Sequence, residues 1–157
     1  MATVGSFSPQ TMLPLESVFS IPICVCPTTV ESYAEVEKNE SMWEEYMMED
    51  AEYCVVAYGI AARVSKNAVT AARANGVKVG LIRPITLWPF PTEALAEAAK
   101  KVKAFVSVEL SMGQMIEDIR LATGCSRPVT LCNRAGGRIP DPEQVLEAIA
   151  KSAEVNE

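Results

Sequence analysis

Three short stretches of the 157-residue chain combine charge, glycine and aromatic side chains at spacings that could bind or position a ligand. In CNRAGGRIPDP (132–142), Gly136 and Gly137 stand between Arg134 and Arg138. Adjacent glycines expose backbone amides and the arginines add charge, which is the make-up of a small anion-binding loop. A long turn after a strand would use the same residues. In ELSMGQM (109–115), Glu109 is followed by Gly113 and Gln114 at the start of an expected helix. A helix amino terminus favours an anion, and Glu109 could supply that anion itself as a cap. It could also act as an acid or contact another subunit, although no second carboxylate is fixed beside it in sequence. In RPITLWPFP (83–91), Pro84, Pro89 and Pro91 stiffen the backbone, Arg83 is a permanent cation, and Trp88 and Phe90 are large apolar anchors. Aromatic residues and arginine are frequent at interface hot spots. The loop therefore reads either as a docking surface or as a plug for the domain's own core.

Other chemistries are excluded by what the sequence lacks. There is no histidine, so a Ser-His-Asp or Cys-His triad cannot form within the chain. The five cysteines, Cys24, Cys26, Cys54, Cys125 and Cys132, contain no C-x-x-C pair, which argues against a zinc or iron–sulfur site. Cys54 and Cys132 fall in expected buried strands, where a free thiol behaves as a small hydrophobe, and reduced cysteines suit a reducing compartment. AYGIA (57–61) has one glycine where a dinucleotide fingerprint needs three, and no Walker loop occurs. The net charge is -6 and no Lys/Arg cluster is present, so nucleic acid is not the expected partner. Nine of the acidic residues lie between Glu31 and Glu52, with Lys38 the only basic residue there. No basic n-region precedes an apolar stretch, and SVFSIPICVCPTTV is too short and too proline-rich to span a bilayer. A soluble, cytoplasmic protein without a membrane partner is expected.

These loops must be held by regular elements. YCVVAYG, VKVGLI, KAFVSVEL and PVTLCN read as buried strands. IAARVSKNAVTAARAN reads as a helix with Ala61, Val64, Ala68, Ala71 and Ala72 on one face and Gly76 as its stop. TEALAEAAKKV, GQMIEDIRLAT and DPEQVLEAIAKS read as three further helices, with Thr92 and Asp141 as expected N-caps, Pro142 at the first helical position and Gln144 completing a capping box. The strand–helix alternation over 53–155 predicts an α/β fold of three layers, α/β/α, around a mostly parallel sheet of four to five strands. Residues 33–52 are expected to be an acidic helical connector, with Val36, Trp43, Tyr46 and Met47 on one face. Residues 1–32 form an atypical leader, either poorly ordered or contributing FSIPICV as one extra strand.

In order and spacing, VVAYG, VKVGLIRPITLWPFP, VEL-x-x-GQM-x-x-DIRLA and NRAGGRIP resemble the C-terminal, transketolase C-terminal-like domain of the alpha subunit of 2-oxoacid:ferredoxin oxidoreductases, in the 2-oxoisovalerate and 2-oxoglutarate branch. The resemblance spans residues 33 to 150. It implies a five-stranded mixed sheet and a holoenzyme that oxidatively decarboxylates a 2-oxoacid to an acyl-coenzyme A and reduces ferredoxin. That holoenzyme uses thiamine diphosphate, magnesium, iron–sulfur clusters and coenzyme A, none of them bound by this chain, and has a thiamine-binding beta, a gamma and a ferredoxin-like delta subunit. The chain would then be a partial alpha subunit without catalysis of its own. Ser111, Ile60, Asn133 and Ala135 depart from the family pattern, which has asparagine, serine, glycine and proline there. The alternative is a free-standing module of the same fold that binds a small ligand or phosphate.

Overall fold

The structure, a computed structural model, describes residues 27–154. The chain forms β2 (Tyr53–Ala57), α2 (Gly59–Ala74), β3 (Val79–Pro84), α3 (Thr92–Lys101), β4 (Ala104–Glu109), α4 (Met115–Ala122), β5 (Val129–Asn133) and α5 (Pro142–Glu154), preceded by α1 (Pro27–Glu40) and β1 (Trp43–Tyr46). One five-stranded sheet runs in the order β1-β3-β2-β4-β5. Its last four strands are parallel, and β1 pairs antiparallel with β3, Glu44 opposite Arg83. The central strands β2 and β4 are buried along their whole length, as parallel strands covered on both faces must be.

The two faces carry separate cores. On one, α2 and α5 cover Val55, Leu81, Val106 and Val108 with Ala68, Val69, Val145 and Ile149. On the other, α3 and α4 cover Cys54, Val56, Ile82 and Phe105 with Leu95, Ala98, Met115 and Ile119. The result is the expected three-layer α/β/α architecture. α2 ends as expected, at Asn75 followed by Gly76 at a φ of +85°, where the Gly76 amide reaches the Arg73 carbonyl at 2.9 Å. Its buried face is rotated from the expected one: Ala62, Ser65 and Val69 point inward and Ala71 is exposed.

The acidic connector differs from expectation. The helix ends at Glu40, and WEEY forms the sheet's fifth strand. Trp43, Tyr46 and Met47 therefore share no helical face with Val36. Their apolar spacing suits either element, and long-range pairing decides: the Ile85 and Thr86 amides both bind the Met42 carbonyl, at 2.9 and 3.3 Å. FSIPICV, the expected source of a fifth strand, lies outside the described residues.

Two caps also differ. Thr92 is the first residue of α3 and Pro91 its N-cap. At α5, Gln144 Oε1 accepts from the Asp141 amide at 3.3 Å, which supplies one half of the expected box. Among the described residues the Asp141 carboxylate has the Arg134 guanidinium as its partner, at 3.9 Å, and no helix amide.

Gly80, buried in β3, has a packing role. A Cβ there would run into Met48 Sδ and would lie 2.7 Å from the Met47 carbonyl and 3.1 Å from Ala51 Cβ. The thioether can swing aside, but the carbonyl is fixed by the β1–β2 turn and accepts a hydrogen bond from Arg73 at 2.6 Å. Gly80→Ala is expected to cost about 1–3 kcal/mol by overpacking, read as a lower denaturant midpoint at unchanged m-value.

Candidate functional site

The loops that leave the carboxyl ends of the four parallel strands gather at one end of the sheet, the usual place for function in open α/β folds. All three stretches singled out from sequence lie in these loops, but their residues have different roles.

Glu109, the last residue of β4, is fully buried. Its Oε1 accepts from Ser107 Oγ at 2.7 Å and from the Ile116 amide at 2.9 Å. Its Oε2 accepts from Ser111 Oγ at 2.6 Å and from the amides of Gln114 and Met115 at 2.8 and 3.0 Å. The carboxylate thus occupies the amino terminus of α4, whose first amides it satisfies. Burial pushes its pKa up, but the hydrogen bonds from Ser111, Ser107 and the Met115 and Ile116 amides outweigh this and hold it below the ordinary value. A buried, ionised and fully bonded carboxylate is built for holding the β4–α4 turn together. Gly113 permits that turn with a φ of +101°. Gln114 contributes its amide and its side chain is exposed. Asn133 Nδ2 donates to the Ser111 carbonyl at 2.8 Å and links the β4 and β5 loops.

In RPITLWPFP the two aromatic residues part company. Phe90 is half-buried against the α3–α4 core, whereas Trp88 is 57% exposed. The Trp88 indole meets the Tyr33 ring of α1 edge-on at 5.6 Å, and the Trp88–Pro89 peptide is cis. Thr86 Oγ1 donates to the Pro89 carbonyl at 2.8 Å and fixes the loop from within. Sequence reasoning treated Trp88 and Phe90 as one unit; one plugs the core and the other faces outward.

Arg83 pairs with Glu44 of β1 at 3.1 Å. The same carboxylate accepts from Lys66 of α2 at 2.5 Å, and the Lys66 hydrogen bond is the main reason its pKa is lowered. This link between β1, β3 and α2 was not found from sequence, because Lys66 and Glu44 lie 22 residues apart.

In CNRAGGRIPDP, Gly136 and Gly137 both have positive φ, +81° and +76°. The Arg134 guanidinium turns away to Gln144 Oε1, 2.9 Å from its Nε, and to Asp141. Arg138 is exposed. The loop does not bring its two arginines to one point.

Cys54 is buried among apolar side chains, which pushes its thiol pKa far up, and Cys132 is half-buried with its thiol pKa raised, also by burial. Among the described residues no group of three His, Cys, Asp or Glu side chains could hold a metal ion. The described residues thus bring together no group of cysteines that would ligate an iron–sulfur cluster. No described helix is long and apolar enough to cross a membrane.

Comparison with known proteins places this geometry in a lineage. The chain is 55% identical over 123 residues to ketoisovalerate oxidoreductase subunit VorB of Methanothermobacter marburgensis, a match over 78% of this chain and 35% of that protein. It is 37% identical over 102 residues to 2-oxoglutarate synthase subunit KorA of the same organism, over 64% and 27% of the two chains. It therefore spans about a third of the length of these curated relatives. Among solved structures, it superposes on the 2-oxoglutarate:ferredoxin oxidoreductase of Magnetococcus marinus with a TM-score of 0.68 at 21% identity, over 82% of this chain and 24% of that one. It superposes on a split gene transketolase with a TM-score of 0.65 at 19% identity, over 74% and 42% of the two chains. These two likenesses establish the fold, a mixed five-stranded α/β sheet of transketolase C-terminal type. Residues 51–145 match the model of the pyruvate:ferredoxin oxidoreductase core domain II, and the chain belongs to that family.

Proposed function

We propose that the chain is the core-domain part of the alpha subunit of a 2-oxoacid:ferredoxin oxidoreductase and that it serves structure and subunit assembly. The holoenzyme converts a 2-oxoacid and coenzyme A to an acyl-coenzyme A and carbon dioxide and passes two electrons to ferredoxin. Thiamine diphosphate, magnesium and iron–sulfur clusters are supplied by its other parts, the beta, gamma and ferredoxin-like delta subunits among them. Its place is the cytoplasm.

The observation that carries the assembly role is the exposure of large apolar side chains at one end of the sheet. Each strand-to-helix junction presents at least one: Ile60 in the first turn of α2 after β2, Ile85, Leu87 and Trp88 after β3, Leu110 and Met112 after β4, and Ile139 after β5. Met112 is 79% exposed. Scattered exposed apolar residues are ordinary, but their concentration at the functional end of an α/β sheet marks an interaction surface. Since the relatives are about three times longer than the matched segment, the partner this surface fits is the rest of such an oxidoreductase. Glu109 supports the same reading, because its carboxylate is fully engaged within the fold and is not presented to a substrate.

The test is an anaerobic pull-down with the tagged chain from native lysate, followed by a dye-reduction assay dependent on a 2-oxoacid and coenzyme A. Co-eluting activity is expected, with none from the pure chain. Turnover by the pure chain, or a folded bait that retains no oxidoreductase subunit, would overturn the proposal.

A further inference from the structure

A cavity of about 460 Å³ opens beside the amino end of α2 and is lined by Gly59, Ile60, Ala62, Arg63, Lys66 and Arg83. Half of its lining residues are cations. Arg63 and Lys66 stand one turn apart on α2, and Arg83 reaches in from the carboxyl end of β3. Among the described residues, the acidic side chain bonded to these cations is Glu44, and it is shared by Lys66 and Arg83. One negative charge therefore faces three positive ones, and Arg63 makes no ion pair with a described residue. The Arg83 guanidinium donates to Glu44 through one terminal nitrogen; its Nε is enclosed without an acceptor, and the side chain as a whole is 41% exposed, so a ligand in the cavity would meet the terminal nitrogens. An arginine left with unused donors beside two other cations is an arrangement that an added oxyanion would complete. The first turn of α2 adds to the field. It carries no acidic residue, and its N-cap, Tyr58, makes no side-chain capping bond.

We propose that this cavity is an oxyanion site that takes the phosphate or diphosphate group of a small organic ligand. Two arginines and a lysine lining one cavity match the charge of a phosphate better than that of a lone carboxylate. The volume exceeds that of a phosphate group alone, which leaves space for the organic part, and Ile60 and Ala62 provide apolar contact. The phosphate-binding role suggested by the glycine pair at 136–137 is thus assigned instead to the amino end of α2 and the carboxyl end of β3, where three cations line one cavity. The site adjoins the proposed assembly surface, with which it shares Ile60, but binding of an anion by this chain does not depend on assembly.

The experiment is calorimetric titration of the full chain with inorganic pyrophosphate and inorganic phosphate, accompanied by amide chemical-shift mapping. Saturable binding is expected, tighter for pyrophosphate, with the largest shifts at Gly59, Ile60 and Arg63. Arg63→Ala is expected to weaken it about tenfold, and Arg63→Lys to restore part of the loss. Arg120→Ala, on α4 across the sheet, is expected to leave it unchanged. Arg63 is exposed and makes no ion pair with a described residue, so its replacement leaves the fold intact, which thermal melting would verify. Absence of saturable binding, or binding unaffected by Arg63→Ala, would overturn the proposal. Shifts confined to the 134–138 loop would overturn it in favour of that loop. Failure here leaves the pull-down result intact, so the two readings fall separately.

Discussion

Glu109→Gln is expected to lower stability by about 3 kcal/mol, because hydrogen bonds to a buried charged group are each worth about 1.5–3 kcal/mol and an unmet partner costs more than a missing bond. All five partners of the carboxylate are donors: two hydroxyls and three amides. Glutamine replaces one acceptor oxygen with an NH2 group. Placed at Oε1, it opposes the Ile116 amide; placed at Oε2, it opposes those of Gln114 and Met115. The hydroxyls can rotate to accept, but the amides cannot. For a chain of this size the melting temperature should fall by about 6–12 °C.

The pH dependence provides a second check. The folded-state pKa of Glu109 lies below the ordinary value of 4.5, so its stabilising contribution is present in full above that pH. It is lost as the pH falls through the folded value. The melting-temperature gap between the wild type and Glu109→Gln should therefore be constant near neutrality and close in more acid solution. Other lowered carboxylates, such as Glu44 and Glu52, affect both proteins alike and cancel in the difference. A gap that does not change down to the acid limit would show that the side chain is not ionised in the folded protein.

Trp88→Ala should act on association. On the proposed assembly role, the indole is a hot-spot side chain whose loss weakens the complex by about 2 kcal/mol, or roughly thirtyfold in Kd. Within the isolated chain it gives up chiefly its edge contact with Tyr33, worth about 0.5–1.5 kcal/mol. Phe90→Ala supplies the contrast. That ring packs on the α3–α4 core, and its loss should cost about 2 kcal/mol or more of folding stability. The expected pattern is a weak complex with near-normal melting for Trp88→Ala and impaired melting for Phe90→Ala. The reverse pattern would make Trp88 the core plug and remove the docking role of the loop.

How much of this could be read in the sequence depends on whether a feature is local. β2, β3 and β4 were legible because a strand covered on both faces must be a continuous apolar run, and YCVVA and AFVSV admit little else. β5 was legible as a strand, but it lies at the sheet's edge and all its residues are half-buried, so Cys132 is less enclosed than expected. β1 was not legible. Four residues with two glutamates carry no strand signal, and its identity rests on pairing with residues about forty positions away. At the loops, the capping role of Glu109 was visible as one of several readings because its partners lie within seven residues. The junction of Glu44, Lys66 and Arg83 was invisible for the opposite reason: three elements supply it. The division between Trp88 and Phe90 also needed the third dimension, since positions two apart in a proline-fixed loop have different surroundings.

The edge strand β1 has a practical consequence for solubility. It carries two glutamates, of which Glu45 is exposed, and charge on an outermost strand discourages further strands from adding to the sheet. Directly beneath it, β3 reads VGLIRP and is buried almost throughout. A fragment cut to the family-matched segment 51–145 would discard β1 and uncover the full hydrogen-bonding edge of an apolar strand. It would also sever α5 near Val145. Such a fragment would expose a template for pairing with its own copies. The stretch before Ala51 is thus part of the folding unit: without β1 the apolar edge of β3 is left open.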